Sequence, residues 1–472
     1  MNEYVAPGLF DRLSSLWHEL VSSRAPDLVE NIQPALPADD LTRVRDQMNA
    51  CLEGKGGEVS ARARAAALGK AYLRLDPEGR RRFLTVMATE FDVDRAAVDA
   101  AVQAMAKAPA EKRPAAEEAL RTALEAPRLR LLTQFNALPN GVKFLVDMRA
   151  ELMALSRQHP ELKALETDLR NLLTRWFDVG FLELRRITWD SPASILEKLM
   201  AYEAVHAIRS WDDLKNRLDS DRRLFAFFHP RMPDEPLIFV QVALLPEMAA
   251  NIQDLLDVSA PLGDPSKATT AIFYSISNAQ QGLSGISFGN FLIKKVVEVL
   301  LAEFPGLKTF ATLSPVPGFL SWLAEQEQAE QAGGTPLLTP AEAKSLKTVL
   351  DVAPLSATIG GVRWWHEAGQ ADALQPVILR LTARYLAQEK RPGRKGAAPT
   401  ALDPVAHFHL TNGARIDRLN WLGDTSAKGM AQSAGMMVNY LYRLGEIEKN
   451  HETYAERGTA VLSPAVKALL KG

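Results

Sequence analysis

The 472-residue chain has a single cysteine, Cys51. That excludes a disulfide framework within the chain and a cysteine-rich zinc site. A lone thiol reads as a free cysteine in a reducing compartment. No stretch reaches the roughly 18 continuous apolar residues that span a membrane. Neither sign of charge prevails, since 55 basic and 57 acidic side chains leave a formal net charge of -2. Without a basic field to steer association, neither nucleic acid nor a membrane surface is expected as a partner. The opening residues, MNEYVAPGLFDRL, lack the basic-then-apolar order of a secretory signal. A cytoplasmic protein is expected.

What is present points to a folded chain. Hydrophobic residues make up 47% and charged residues 24%, enough to build a sizeable core. At about 150 residues per domain, the length allows two or three domains. Up to about residue 190, apolar residues recur at helical spacing. One stripe runs Leu9, Leu13, Leu16, Trp17, Leu20, a second Phe144, Met148, Leu152, Leu155, and a third Leu162, Leu165, Leu169, Leu172, Leu173, Trp176. No run alternates apolar and polar residues there. After that point short strand-like runs appear at 224–228, 236–244, 271–276, 309–314 and 405–410, with helices between them. Thr339-Pro340-Ala341-Glu342 is a capping box that opens one such helix. The expected fold class is α+β, with an all-α helical bundle over 1–190 and a mixed α/β domain over 191–472.

Four places can carry chemistry. The first is FYSISNAQQGLSGISFGNFLIKKVVEVL (273–300), an apolar strand entering a loop with Gly282, Gly285 and Gly289 and then a helix. Such a loop lets backbone N–H groups approach a phosphate-bearing ligand such as CoA or a nucleotide, though the Rossmann and Walker spacings are absent. An ordinary strand–turn–helix carries equal weight. Gly285-Ile286-Ser287-Phe288-Gly289 also matches the G-x-S-x-G nucleophile elbow, but about eight residues separate it from the strand it would have to end. The second place is Ser314, at the carboxyl end of a strand and followed by Pro315, where a ligand cleft or a plain turn are both readings.

The third place is DPVAHFHLTNGARIDRLNW (403–421). Read as a strand, it puts Val405, His407 and His409 on one face, and Asn412-Gly413 marks a hairpin returning through 415–420. Two histidines two apart on a strand suit a metal, but no acidic cluster completes the shell. A histidine near its normal pKa also suits proton transfer. The fourth is FFHPRMPDEPLIFVQVAL (227–244), where His229, Arg231, Asp234 and Glu235 form a local ion-pair turn or line a cleft.

Together these blocks resemble the malonyl-CoA decarboxylase family. The matching runs are HPRMPDEPLIFVQVAL, AIFYSIS, QQGLSGISFGNFLIKKVV, EFPGLKTFATLSPVPGF and HFHLTNGARIDRLNWLGDTSAKGMAQSAGMMVNYLY, in the family's order over about 229–442. The resemblance implies a helical oligomerisation domain followed by a GNAT-acetyltransferase-like catalytic domain, assembled as a homotetramer. It implies a Ser–His pair: the serine of the LSPxPGF block falls on Ser314 and the histidine of the FHLxNGA block on His409. It places CoA against Ser284, Gly285, Ile286, Ser287, Phe288, Gly289 and Asn290, with Ser275 and Tyr442 as further substrate-pocket candidates.

The family's disulfide-linked tetramers need more cysteines than Cys51, so a tetramer here is expected to be non-covalent. The end of the chain, ALLKG, lacks the peroxisomal address of some relatives. The implied reaction converts malonyl-CoA to acetyl-CoA and CO2, with the thioester carbonyl as electron sink and neither metal nor cofactor required. Two readings from other classes are a GNAT-type acyltransferase, which would need an acceptor amine, and a non-enzymatic acyl-CoA sensor.

Overall fold

A computed structural model describes residues 32–53, 57–286, 292–348, 354–360, 364–393 and 398–471. The chain divides into two compact units. One comprises Met1–Leu182, His229–Pro233 and Gln280–Ser287; the other comprises Glu183–Phe228, Asp234–Ala279 and Phe288–Gly472.

The first unit is helical. Leu162, Leu165, Leu169 and Leu173 are all fully buried, as the third stripe requires, three of them on the Lys163–Trp176 helix. Phe144, Met148 and Leu152 are buried on the Gly141–Leu155 helix. Tyr72 meets Phe83 and Phe144 edge-on at 5.1 and 5.7 Å, a favoured arrangement of ring quadrupoles. Asp76 and Asp94 cap the helices that follow them by accepting backbone N–H bonds. Cys51 is buried on the Ala38–Leu52 helix, and burial pushes its thiol up to about 12. The Leu9–Leu20 stripe lies outside the described residues.

The second unit is built on a mixed sheet. Its strands are β1 (Glu183–Ile187), β2 (Arg222–Phe228), β3 (Ile238–Leu245), β4 (Thr270–Asn278), β5 (Thr309–Thr312) and β6 (Ser314–Pro315). A separate ribbon pairs β7 (Lys390–Arg391) with β8 (Thr400–Ala401), and the main sheet is completed by β9 (Arg415–Asn420) and β10 (Met437–Leu441). The order is β1-β2-β3-β4-β5-β10-β6, with β9 also on β10. Only β4 and β5 run parallel among these pairs. Strands β2 and β3 are buried along almost their whole length, which explains their largely apolar sequences.

Two sequence expectations are corrected. The sheet begins at Glu183, before the change of texture at 190; β1 reads ELRRI, a charged edge strand whose apolar alternation is too sparse to notice. More consequentially, 405–410 is a helix, Pro404–Thr411, and not a strand. Asp403 caps it by accepting from the Ala406 N–H at 2.7 Å, and Pro404 supplies the first-turn φ. Asn412-Gly413 therefore ends a helix and makes no hairpin: Gly413 has φ +80°, and a Cβ there would lie 2.2 Å from the Ile447 carbonyl oxygen. The expected return strand exists as β9, but its partner is β10.

Candidate active site

Parallel pairing of β4 with β5 runs from Thr270–Thr309 to Phe273–Thr312 and then stops. Beyond it β4 continues to Asn278, while the neighbouring strand reaches Pro315, which has no N–H to give a ladder. A register shift between Gln241 and Val242 leaves Tyr274 as the extra residue on β4. A cleft of about 230 Å³ opens here, walled by Ser275 of β4, Ser314 of β6, and Val405, Phe408 and His409 of the 404–411 helix. Helical geometry separates the two histidines. His407 Nδ1 lies 2.9 Å from the Tyr454 hydroxyl, whereas His409 faces the cleft. Among the described residues no three His, Cys, Asp or Glu side chains gather as a metal site.

His409 and Ser314 meet across 95 residues of sequence, with Nε2 and Oγ 3.1 Å apart. On the other side of the ring, Nδ1 lies 2.8 Å from the Tyr442 hydroxyl. Ser314 donates to Thr312 Oγ1 at 2.8 Å, and Thr312 Oγ1 also accepts the Tyr440 N–H at 3.2 Å. With the Ser314 proton on Thr312, His409 donates through Nε2–H and accepts at Nδ1 from the Tyr442 O–H. Tyr440 stacks on the imidazole at 4.4 Å.

Ser314, His409 and Tyr442 are all buried. Burial holds the His409 imidazole down to about 3, far from the normal value expected of it, because a dry surrounding disfavours the charged ring. Burial also holds the Tyr442 phenol well above its usual value. Both groups are neutral at working pH.

The other expected residues are distributed as follows. Ser275 is in the cleft, with its hydroxyl on the Glu203 carboxylate. Ser284, Gly285 and Ile286 belong to the other compact unit, where buried Arg149 donates to the carbonyls of Gly282 and Ser284 at 2.6 and 2.9 Å. Gly285 takes φ +75°. Ser287, Phe288, Gly289 and Asn290 lie outside the described residues, and so does the G-x-S-x-G serine.

Within the 227–244 turn, His229 Nδ1 accepts the Arg231 N–H at 3.1 Å. His229 Nε2 lies 3.1 Å from the Trp176 carbonyl, Arg231 donates to the Asn136 carbonyl, and Glu235 takes Lys198. Sequence reading passed over Thr312, Asp403 and Glu203. The alternation of Thr312 with Ser314 on one strand and the Asp-Pro start of a helix were available signals for the first two.

Comparison with known proteins agrees with this architecture. The family model described as malonyl-CoA decarboxylase C-terminal domain matches residues 180–472, and that of its N-terminal domain matches residues 91–177. Mitochondrial malonyl-CoA decarboxylase of the goose Anser anser anser is 39% identical over 412 residues, covering 84% of this chain and 80% of the relative. That of Rattus norvegicus is 36% identical over 461 residues, covering 92% and 88%. A crystal structure of malonyl-CoA decarboxylase from Rhodopseudomonas palustris superimposes with TM-score 0.82 at 45% identity, over 91% of this chain and 99% of that one. The two domain models together with these two relatives establish that the chain belongs to the malonyl-CoA decarboxylase family.

Proposed function

We propose that Ser314 and His409 are the working pair in the decarboxylation of malonyl-CoA to acetyl-CoA and CO2, the carboxy-lyase reaction of this family. The observation that carries the assignment is the 3.1 Å contact between Ser314 Oγ and His409 Nε2 in a largely apolar-walled cleft. At about 230 Å³ the cleft is smaller than the ~300–1,000 Å³ of sites for drug-sized ligands. It suits the acyl end of a CoA thioester, with the nucleotide outside it. The loop from Ser284 to Asn290 is the proposed CoA contact.

Loss of CO2 leaves two electrons on the acyl carbon, delocalised onto the thioester oxygen as an enolate. One proton must then reach carbon. Ser314 delivers it, His409 restores the serine proton from Nε2–H, and a proton from water returns to the ring before the next turnover, so each cycle consumes one proton. A neutral imidazole is a weak acid, but an enolate is a strong base, so the transfer runs toward carbon. The carbonyl is the electron sink, so the reaction as read here calls on no metal or organic cofactor.

The sheet unit is the proposed catalytic domain and the helical unit the proposed oligomerisation domain of a homotetramer. With Cys51 buried, that assembly is non-covalent. A cytoplasmic location is proposed from the sequence, whereas the goose and rat relatives are mitochondrial by name. No helix among the described residues is long and apolar enough to cross a membrane.

The test uses malonyl-CoA labelled in its free carboxylate, with chelator present. Release of labelled CO2 with equimolar acetyl-CoA is expected, falling by about 10²–10⁴-fold in S314A and H409N while CoA affinity holds. Full activity in both variants refutes the pair. Retention of the label on an acceptor amine turns the assignment to an acyltransferase.

A further inference from the structure

One buried carboxylate behind the cleft has no part in the mechanism above. Glu203, just past the Ala193–Tyr202 helix, is 8% exposed. Its Oε1 accepts from the N–H groups of Val205 and His206 at 2.8 and 3.0 Å and from Ser277 Oγ at 3.1 Å. Its Oε2 accepts from Gln241 Nε2 at 2.5 Å, and the Ser275 hydroxyl bridges both oxygens at 2.9 and 2.8 Å. Gln241 is fully buried and is itself turned by the Tyr274 hydroxyl, which donates to its carbonyl oxygen at 3.1 Å. This network lies along the stretch of β4 that has left β5, and Ser275 and Val205 form part of the cleft wall.

We propose that Glu203 is a positioning residue that gives the cleft its polarity and so fixes how the malonyl group enters; the inference rests on the reading of this cleft as the malonyl site. Ser275 has one proton, and Glu203 holds it, so toward the cleft the serine offers lone pairs only. An acceptor wall with a buried negative charge behind it repels a carboxylate. Ser314 and His409, which also line the cleft, are neutral, and their hydroxyl and Nε2–H protons rest on neutral partners, from which they turn to a bound anion. A malonyl thioester therefore settles with its carboxylate away from β4 and toward Ser314, and the uncharged acetyl product feels no such preference.

The experiment measures kcat and KM for malonyl-CoA, and inhibition by acetyl-CoA, in E203Q, S275A and the double variant. E203Q is expected to lower kcat by at least about tenfold through misorientation. It should leave KM for malonyl-CoA unchanged or lower it, since repulsion is gone, and keep acetyl-CoA inhibition within about twofold. S275A should add nothing to E203Q, because the two act as one device.

Unchanged kcat in E203Q overturns the proposal. So does a parallel rise in KM and in the acetyl-CoA inhibition constant with a lowered melting temperature, which would mark mere structural support. If E203Q does not fold, S275A/S277A leaves Glu203 its two backbone donors and Gln241. It is expected to lower kcat in the same way, and full activity there is equally fatal. S314A separates the premises: full turnover in S314A removes the reading of the cleft, whatever E203Q does.

Discussion

The Tyr442 hydroxyl lies 2.8 Å from Nδ1 of His409, on the side of the ring opposite Ser314. A carboxylate in that position would draw a proton onto Nδ1 and make Nε2 a base. A neutral phenol donating to Nδ1 does the reverse and leaves a proton on Nε2. The residue behind the histidine thus decides whether the pair gives or takes a proton.

Y442F tests this. Removing a neutral hydrogen bond worth about 0.5–1.5 kcal/mol lowers kcat by about two- to tenfold, with KM for malonyl-CoA little changed. Steady-state kinetics decide it; unaltered kcat would show that the tautomer is set elsewhere.

The pH dependence follows from burial. His409 is held down to about 3 and His206 to about 4, in both cases first by burial. Each binds a proton less readily folded than unfolded, where the value is about 6.5. Their contribution to stability is complete above pH 6.5 and is lost as the pH falls through the folded values. H409N removes one such term, so on going from pH 7 to 5 the wild-type chain should lose on the order of 1–2 kcal/mol relative to H409N. Thermal melts across that range measure it. The rate profile of the wild type should show no His409 limb between pH 5 and 8.

Asp403 carries the opposite sign. Burial raises its carboxyl to about 6, against the backbone N–H bonds it accepts. The stability it contributes is present at low pH and is lost as pH rises through 6. D403N keeps the cap without the charge, so its melting temperature relative to wild type should rise from pH 4 to pH 8. D403A forfeits the cap, about 0.5–2 kcal/mol, and loosens the helix that carries His409. Melts of both variants at the two pH values distinguish cap from charge.

Gly282 offers a test of the loop proposed to hold CoA. A Cβ there would fall 1.8 Å from the Val146 carbonyl oxygen, so G282A must displace the backbone. Destabilisation of about 1–3 kcal/mol is expected, with KM for malonyl-CoA rising more than kcat falls. A KM equal to that of the wild type would detach the loop from CoA binding.

Much of this architecture is legible in the amino acids. The runs at 224–228, 236–244, 271–276 and 309–314 appear as strands because short, mostly apolar runs rich in β-branched and aromatic residues mark buried strands, and the Leu162–Leu173 stripe is a buried helical face as its spacing requires. The 405–410 run misleads because six residues with two histidines satisfy a period of two by accident. The deciding signal is the single Asp403-Pro404 pair, a helix start. Strand β1 escapes notice because its exposed positions carry Glu183 and Arg186, with half-buried Arg185 between them, where an edge needs charge and not hydrophobicity.

The site is less legible for a different reason. No local period links Ser314 to His409; their proximity is created by the sheet and by a helix start. Family blocks suggested the pair, but nothing near Glu203 in sequence hints that five donors converge on it. Its partners come from β3, β4 and its own turn.

Cys51 has a consequence for the chain's own chemistry. Acyl groups on CoA move readily to any thiolate they meet, by exchange of one thioester for another. The sole sulfhydryl of this chain is walled in and stays protonated far above neutral pH. A CoA thioester therefore meets no accessible thiolate on this chain.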